Sequence, residues 1–267
     1  MRVDAAVVAT GQRPGVNEPV TSPETTSDTL LGGRVRLEQP ARGYRVAIDP
    51  VLLAAALPAR AGERVLELGA GVGAATLCAA TRLAECSFLG IELDDGLVAL
   101  ARTNVLANRL EARVTMLAGD VAAPPPAMTG APFDHVIANP PFAEVGRGSV
   151  SPVAAKQRAN VEGGADLAAW VDAAFGALRG GGSATFVHRA DRAAELAARI
   201  AGTGAGGIIL FPLWPKAGGD AKRVLVQGRK GAKAPLRLAA GLVLHEADGS
   251  YSAAAHAILR FGAALTL

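Results

Sequence analysis

The sequence predicts a doubly wound α/β fold on a mostly parallel sheet. Three observations carry that expectation. From about residue 64 short apolar runs of strand length alternate with segments of helical period, a Gly-rich turn follows the first such run, and acids sit at the ends of three successive runs. Half of the 267 residues are hydrophobic but only 4% are aromatic, so Ala, Val and Leu must fill the interior. Small apolar side chains suit helices laid closely on a sheet.

Residues 1–28 combine turn formers with no apolar period and read as a flexible tail. Residues 29–267 read as a single domain that opens with a hairpin and a helix over 29–57. The hairpin is expected to pair Arg34–Glu38 with Tyr44–Ile48 across Gln-Pro-Ala-Arg-Gly. Asp49-Pro50 then opens the helix, Asp as cap and Pro in the first turn, and Val51 to Leu57 supply its apolar residues.

The alternating region follows. Strands are expected at Arg64–Leu68, Ser87–Glu92, Arg113–Leu117 and His135–Ala138. A helix runs from the Gly-rich turn to about Ala84, and another spans Asp94–Asn108 with Leu97, Leu100, Ala101 and Val105 on one face. Residues 143–165 read as a long loop. Asp166 caps a helix whose stripe is Leu167, Trp170, Val171, Ala174, Phe175 and Leu178, and Gly180–Gly182 stop it. Strands at Ser183–His188, Gly207–Leu213, Arg223–Gln227 and Leu242–His245, a helix over Asp191–Ile200 and a last helix from about Ser252 complete the pattern. His135 and His188 read as packing residues inside their strands.

Several function classes recede on composition. No run of about eighteen apolar residues occurs, which argues against a membrane span. The first thirty residues lack a basic start followed by an apolar block, so no secretory signal is expected and the chain reads as cytoplasmic. Cys78 and Cys86 have no CxxC spacing or Cys/His set, so no metal site is expected. The net charge is +3, and Lys216 to Arg237 holds seven basic residues against one acid. Such a strip can hold phosphates or simply be solvated.

Glu67-Leu68-Gly69-Ala70-Gly71-Val72-Gly73 turns the first strand into a helix, with Gly69, Gly71 and Gly73 allowing close approach of a ligand. A nicotinamide pyrophosphate at this helix N-terminus would meet the like charge of Glu67, which weighs against an oxidoreductase. A cofactor bearing an ammonium and a sulfonium suits the turn, which points to S-adenosylmethionine. Glu92 can accept both ribose hydroxyls. Asp120 can accept from the adenine amine.

Asn139-Pro140-Pro141-Phe142 ends the fourth strand. An exocyclic amine is a poor nucleophile because its lone pair is delocalised into the ring. The Asn139 carboxamide and the Pro140 carbonyl can each accept one of its N–H bonds, Pro140 and Pro141 stiffen the acceptors, and Phe142 offers a stacking face. Lys156, Arg158, Lys222 and Arg223 can hold phosphates beside an extruded base.

These residues resemble those of the class I methyltransferases with an Asn-Pro-Pro-aromatic motif. More narrowly, Leu30 to Gly33, Gly43 to Asp49, Glu67 to Gly73, Asn139 to Phe142 and Gly249 to Ser252 resemble the tRNA1(Val) adenine-N6 methyltransferase family. That resemblance implies a Rossmann-like sheet of seven strands with an antiparallel final strand, and a tRNA acceptor. Asn-Pro-Pro-Phe is also similar to the ribosomal RNA guanine-N2 enzymes, and Asn-Pro-Pro to the glutamine N5-methyltransferases of release factors. A non-catalytic S-adenosylmethionine- or RNA-binding module is the alternative outside enzymes.

Overall fold

The computed structural model describes residues 24–43, 45–141 and 166–267. Phe142, Lys156 and Arg158 therefore lie outside the described residues, as do residues 1–23 of the expected tail. The described residues open with β1 (Thr25–Leu30), a 3-10 turn and β2 (Val35–Pro40), followed by α1 (Asp49–Ala55). Then come β3 (Arg64–Leu68), α2 (Ala74–Arg82), β4 (Ser87–Glu92), α3 (Asp95–Ala107), β5 (Val114–Ala118), the single turn α4 (Pro126–Thr129) and β6 (Phe133–Ala138). The second half holds α5 (Leu167–Ala177), β7 (Leu178–Arg189), α6 (Ala193–Gly202), β8 (Gly206–Lys216) and β9 (Arg223–Arg229). It closes with β10 (Arg237–Leu238), β11 (Leu242–His245) and α7 (Ala253–Phe261).

Among the described residues the main sheet has nine strands, in the order β5-β4-β3-β6-β7-β9-β8, with β10 and β11 both on the outer edge of β8. Neighbours from β5 to β7 are parallel, and β9 lies antiparallel between β7 and β8. The expected mostly parallel, doubly wound sheet is thus present, with the seventh of its strands, β9, antiparallel. Strands β10 and β11 exceed the seven strands expected and run parallel to β8, so the antiparallel strand is not the final one. The sheet's central strands β3, β6 and β7 are buried on both faces over most of their length, which is why they read as continuous apolar runs instead of alternating ones. One core joins β2, α1, α2, α3 and α7 to one face, and a second joins α4, α5 and α6 to the other. The chain winds outward through β3, β4 and β5 and returns to β6 on the other side of β3, a topological switch point where such sheets bind ligands.

Three local expectations are corrected. The N-terminal hairpin pairs β1 with β2, so Thr25–Asp28 belong to a strand and Arg45–Ile48 to none. β1 is polar, and its place is fixed by side chains: Asp28 accepts from Gln39 Nε2 at 2.7 Å and from Arg45 Nη2 at 2.9 Å. Asp49 does not cap α1. Ile48 holds the cap position, and the Asp49 carboxylate meets Arg223 Nε at 3.1 Å, tying α1 to β9. The helix before Gly180 stops at Ala177, and β7 begins at Leu178 and runs through the glycines. Gly181 N donates to Lys230 O at 3.0 Å and Lys230 N to Gly182 O at 2.9 Å, which holds that stretch extended.

His135 does more than fill space. Its Nδ1 lies 2.8 Å from Ser183 Oγ and its Nε2 2.9 Å from Glu63 Oε2, at the sheet end opposite the Gly-rich turn. Burial holds its pKa below the usual histidine value, so Nε2–H donates to Glu63 and Nδ1 accepts from the Ser183 hydroxyl.

Candidate active site

The strand registers bring the predicted residues together. Leu68 pairs with Ala138 and with Ile91, so Gly69, Asn139 and Glu92 leave three adjacent strands at one level. Glu92 pairs with Ala118, which sets Asp120 two residues beyond β5 on the same sheet end.

Each acid is held by local backbone. Glu92 accepts from Gly71 N at 2.8 Å and from Asp94 N at 3.0 Å, so it closes the Gly-rich turn against β4. Asp120 Oδ1 accepts from Ala122 N at 2.8 Å and remains half-buried. Glu67 is buried and faces α2, where Thr76 donates its backbone N–H at 2.8 Å and its hydroxyl to the same Oε2. Burial, only partly offset by those two donors, pushes the Glu67 carboxyl up to about 8, and the Glu92 charge acts in the same direction. Glu67 is therefore largely protonated at neutral pH, a state different from the carboxylate expected from the sequence.

Gly69, Gly71 and Gly73 all have positive φ, +65°, +55° and +88°. At Gly69 a second constraint applies. A Cβ there would lie 2.5 Å from Trp170 Cη2, because α5 packs its indole directly against the turn. Trp170 is thus a core residue that also shapes the turn.

Asn139 ends β6 half-buried, with Pro140 buried and Pro141 exposed. Its Oδ1 is inaccessible to solvent and has no hydrogen-bond partner among the described residues. A buried acceptor left unpaired costs about 1–3 kcal/mol, and native proteins rarely keep one without a use.

Arg189 pairs with Arg223 in the β7–β9 ladder, so Lys222 and Arg223 stand at the sheet end that carries Asn139. Lys222 is exposed, whereas Arg223 is half-buried against Asp49. The basic strip from Lys216 to Arg237 is divided between the two ends of the β8–β9 hairpin. At the far end Lys230 Nζ donates to Phe175 O and Leu178 O, both at 2.7 Å, and so closes α5.

Sequence reasoning missed Thr76 and Asn104. Asn104 is buried among Val98, Ala101 and Val105, and an amide in an otherwise apolar stripe is the signal that marks it. Thr76 left no comparable signal, since a Thr in the first turn of a helix is ordinary.

A doubly wound sheet, a Gly-rich turn closed by an acid on the next strand, and Asn-Pro-Pro at the switch point define the class: the chain has the class I methyltransferase fold. Comparisons agree. Residues 45–159 match the methyltransferase small domain family. The tRNA1(Val) (adenine(37)-N6)-methyltransferase of Aeromonas hydrophila is 29% identical over 210 residues, 78% of this chain and 85% of that protein. A predicted O-methyltransferase from Agrobacterium tumefaciens superposes with a TM-score of 0.68 at 27% identity, over 82% of this chain and 99% of that one. A T. thermophilus 16S rRNA N2-guanine methyltransferase, solved with AdoMet and guanosine, gives 0.55 at 26% identity, over 80% of this chain and 52% of that one. Among the described residues no helix is long and apolar enough to cross a membrane, and no group of His, Cys, Asp and Glu could hold a metal ion.

Proposed function

We propose that this methyltransferase transfers a methyl group from S-adenosylmethionine to an exocyclic amine of a nucleobase, adenine N6 in a tRNA of the tRNA1(Val) type. The observation that carries the reading is the buried Asn139 Oδ1 beside the Gly-rich turn, with no hydrogen-bond partner among the described residues. It is an acceptor awaiting an N–H.

The donor set fits the cofactor. Three acids at adjacent strand ends suit an ammonium, a ribose diol and an adenine amine, and Glu92 and Asp120 would repel a pyrophosphate. A carboxyl held neutral by burial, as Glu67 is, regains its charge when a cation is brought beside it. S-adenosylmethionine would supply an electrophilic methyl on its sulfonium. In this reading Gly69, Gly71 and Gly73 admit its chain, Glu92 takes the ribose hydroxyls and Asp120 the adenine amine.

Asn139 Oδ1 and the Pro140 carbonyl would each accept one N–H of the acceptor amine, drawing its lone pair out of the ring. Pro140 and Pro141 keep both acceptors fixed, so little reorganisation is needed during transfer. Phe142 would stack on the base. Lys156, Arg158 and Lys222 would meet flanking phosphates, and Arg223 would serve through its pair with Asp49. The relative that acts on tRNA1(Val), similar over most of both chains, supports the tRNA acceptor and with it a cytoplasmic place of action. We treat residues 29–267 as one methyltransferase domain. The N2-guanine enzyme solved with guanosine favours a second reading, guanine N2 in ribosomal RNA.

The test is transfer of labelled methyl to unmodified tRNA and ribosomal RNA, with mass analysis of the digested nucleosides. N6-methyladenosine in tRNA, abolished by Asn139→Ala, is the expected result. N2-methylguanosine would move the acceptor to the second reading. Cofactor binding without label in either RNA would sink nucleobase methylation.

A further inference from the structure

Asn104 makes a set of contacts that neither the fold nor the chemistry above requires. It is fully buried on α3, 0% exposed. Its Oδ1 accepts from Glu38 N at 2.7 Å, and its Nδ2 donates to Glu38 O at 2.9 Å and to Val72 O at 3.0 Å. Val72 lies between Gly71 and Gly73 in the Gly-rich turn, and Glu38 lies in β2. One carboxamide therefore connects the outer backbone edge of the N-terminal hairpin to the middle of that turn.

We propose that Asn104 is a positioning residue that holds the Gly-rich turn in its binding conformation and makes that conformation depend on the seating of the N-terminal hairpin. The proposal rests on the reading that this turn holds S-adenosylmethionine. The turn uses positive φ at Gly69, Gly71 and Gly73, so its backbone has more alternatives than an ordinary loop and needs external tethers. Ala70 N donates to Ile91 O at 2.9 Å and Gly71 N to Glu92 Oε2 at 2.8 Å on the β4 side, and Asn104 holds Val72 O from α3. Both Glu38 bonds orient the Asn104 amide with its Nδ2 towards Val72. If the hairpin lifts, the amide loses that orientation and the turn loses its tether. Anything that seats the hairpin then favours cofactor binding, and by reciprocity the cofactor seats the hairpin.

Asn108 supplies the control. One helical turn further along α3, it accepts from Arg36 N at 2.8 Å and donates to Arg36 O at 2.7 Å, and no bond joins it to the Gly-rich turn among the described residues. The measurement is the equilibrium dissociation constant for S-adenosylmethionine by titration calorimetry on the full chain, with melting temperature recorded for each variant. Asn104→Ala is expected to weaken binding about tenfold, the loss that one hydrogen bond's worth of loop order represents. Asn108→Ala leaves both Glu38 bonds and the Val72 bond of Asn104 in place, and should stay within about twofold. Glu38→Pro, which removes the N–H that orients Asn104 while leaving Asn104 intact, should reproduce the Asn104→Ala effect even if Asn104→Ala folds poorly. A melting-temperature loss shared by Asn104→Ala and Asn108→Ala with equal cofactor affinity would overturn the proposal. So would full affinity in Glu38→Pro. Wild-type chain that fails to bind S-adenosylmethionine at all would instead overturn the cofactor reading, and the coupling with it.

Discussion

Thr76 donates both its backbone N–H and its hydroxyl to one oxygen of Glu67, so the acid one residue before the end of β3 is also the anchor of the helix that follows the Gly-rich turn. The strand, the turn and α2 are thereby closed into one unit around a carboxyl that burial keeps protonated.

That carboxyl gives stability a pH dependence of definite sign. Its folded pKa, about 8, lies above the ordinary 4.5, so its contribution is complete below about 4.5 and is lost as pH rises through about 8. Glu67→Gln carries no such loss. The melting temperature of the variant should gain on wild type between pH 5 and pH 8 and hold a constant offset above about pH 9. Thermal melts across that range check it, and an offset independent of pH would show that Glu67 is ionised throughout.

Asn139→Ala should separate activity from stability. Losing a preorganised acceptor typically costs about 100- to 1,000-fold in kcat. Because Oδ1 has no partner among the described residues, its removal leaves no broken bond behind, and the melting temperature should equal or exceed wild type. Single-turnover methyl transfer and a thermal melt on the same preparation measure both. A destabilised variant would mean that the side chain is structural.

Gly69→Ala should destabilise by about 2–4 kcal/mol, from left-handed backbone and from collision with Trp170. Only the collision is relieved by shortening the indole. In urea titrations the double variant Gly69→Ala, Trp170→Leu should therefore lose less than the sum of the two single changes, by about 1 kcal/mol or more. Strict additivity would contradict the packing of Trp170 on the turn.

Lys222 and Arg223 should behave differently despite being neighbours. Lys222→Ala is expected to weaken tRNA binding with no change in melting temperature, and to lower the slope of log affinity against log salt by about one. Arg223→Ala should lower stability as well, by about 1 kcal/mol, because it strands the half-buried Asp49. Filter-binding at several salt concentrations and a melt distinguish them. An unchanged salt slope for Lys222→Ala would remove that residue from the RNA path.

The alternating region was legible because parallel strands buried on both faces leave continuous apolar runs, and because each acid expected at the site stands where such a run ends. Glu92, Asp120 and Asn139 could be placed from that rule alone. The hairpin partner could not. β1, Thr-Thr-Ser-Asp-Thr-Leu, has almost no apolar face, and its register depends on Gln39 and Arg45 reaching Asp28, contacts that sequence spacing does not encode. Nor could the start of β7, since three glycines suppress any strand propensity and bonds to Arg229 and Lys230 keep the chain extended. The same limit concealed the state of Glu67: its position at a strand end was readable, but its burial against Thr76 was a tertiary fact.

The paired amides of Asn104 and Asn108 have a consequence for how the molecule keeps to itself. They occupy the outward peptide groups of Arg36 and Glu38, the alternate positions that a further strand would need on that side of β2. A helix here stands in for a neighbouring strand. A stray extended segment, from a second molecule or from a nascent chain, finds the peptide groups of Arg36 and Glu38 already taken, so the small hairpin sheet is guarded against growth on that flank.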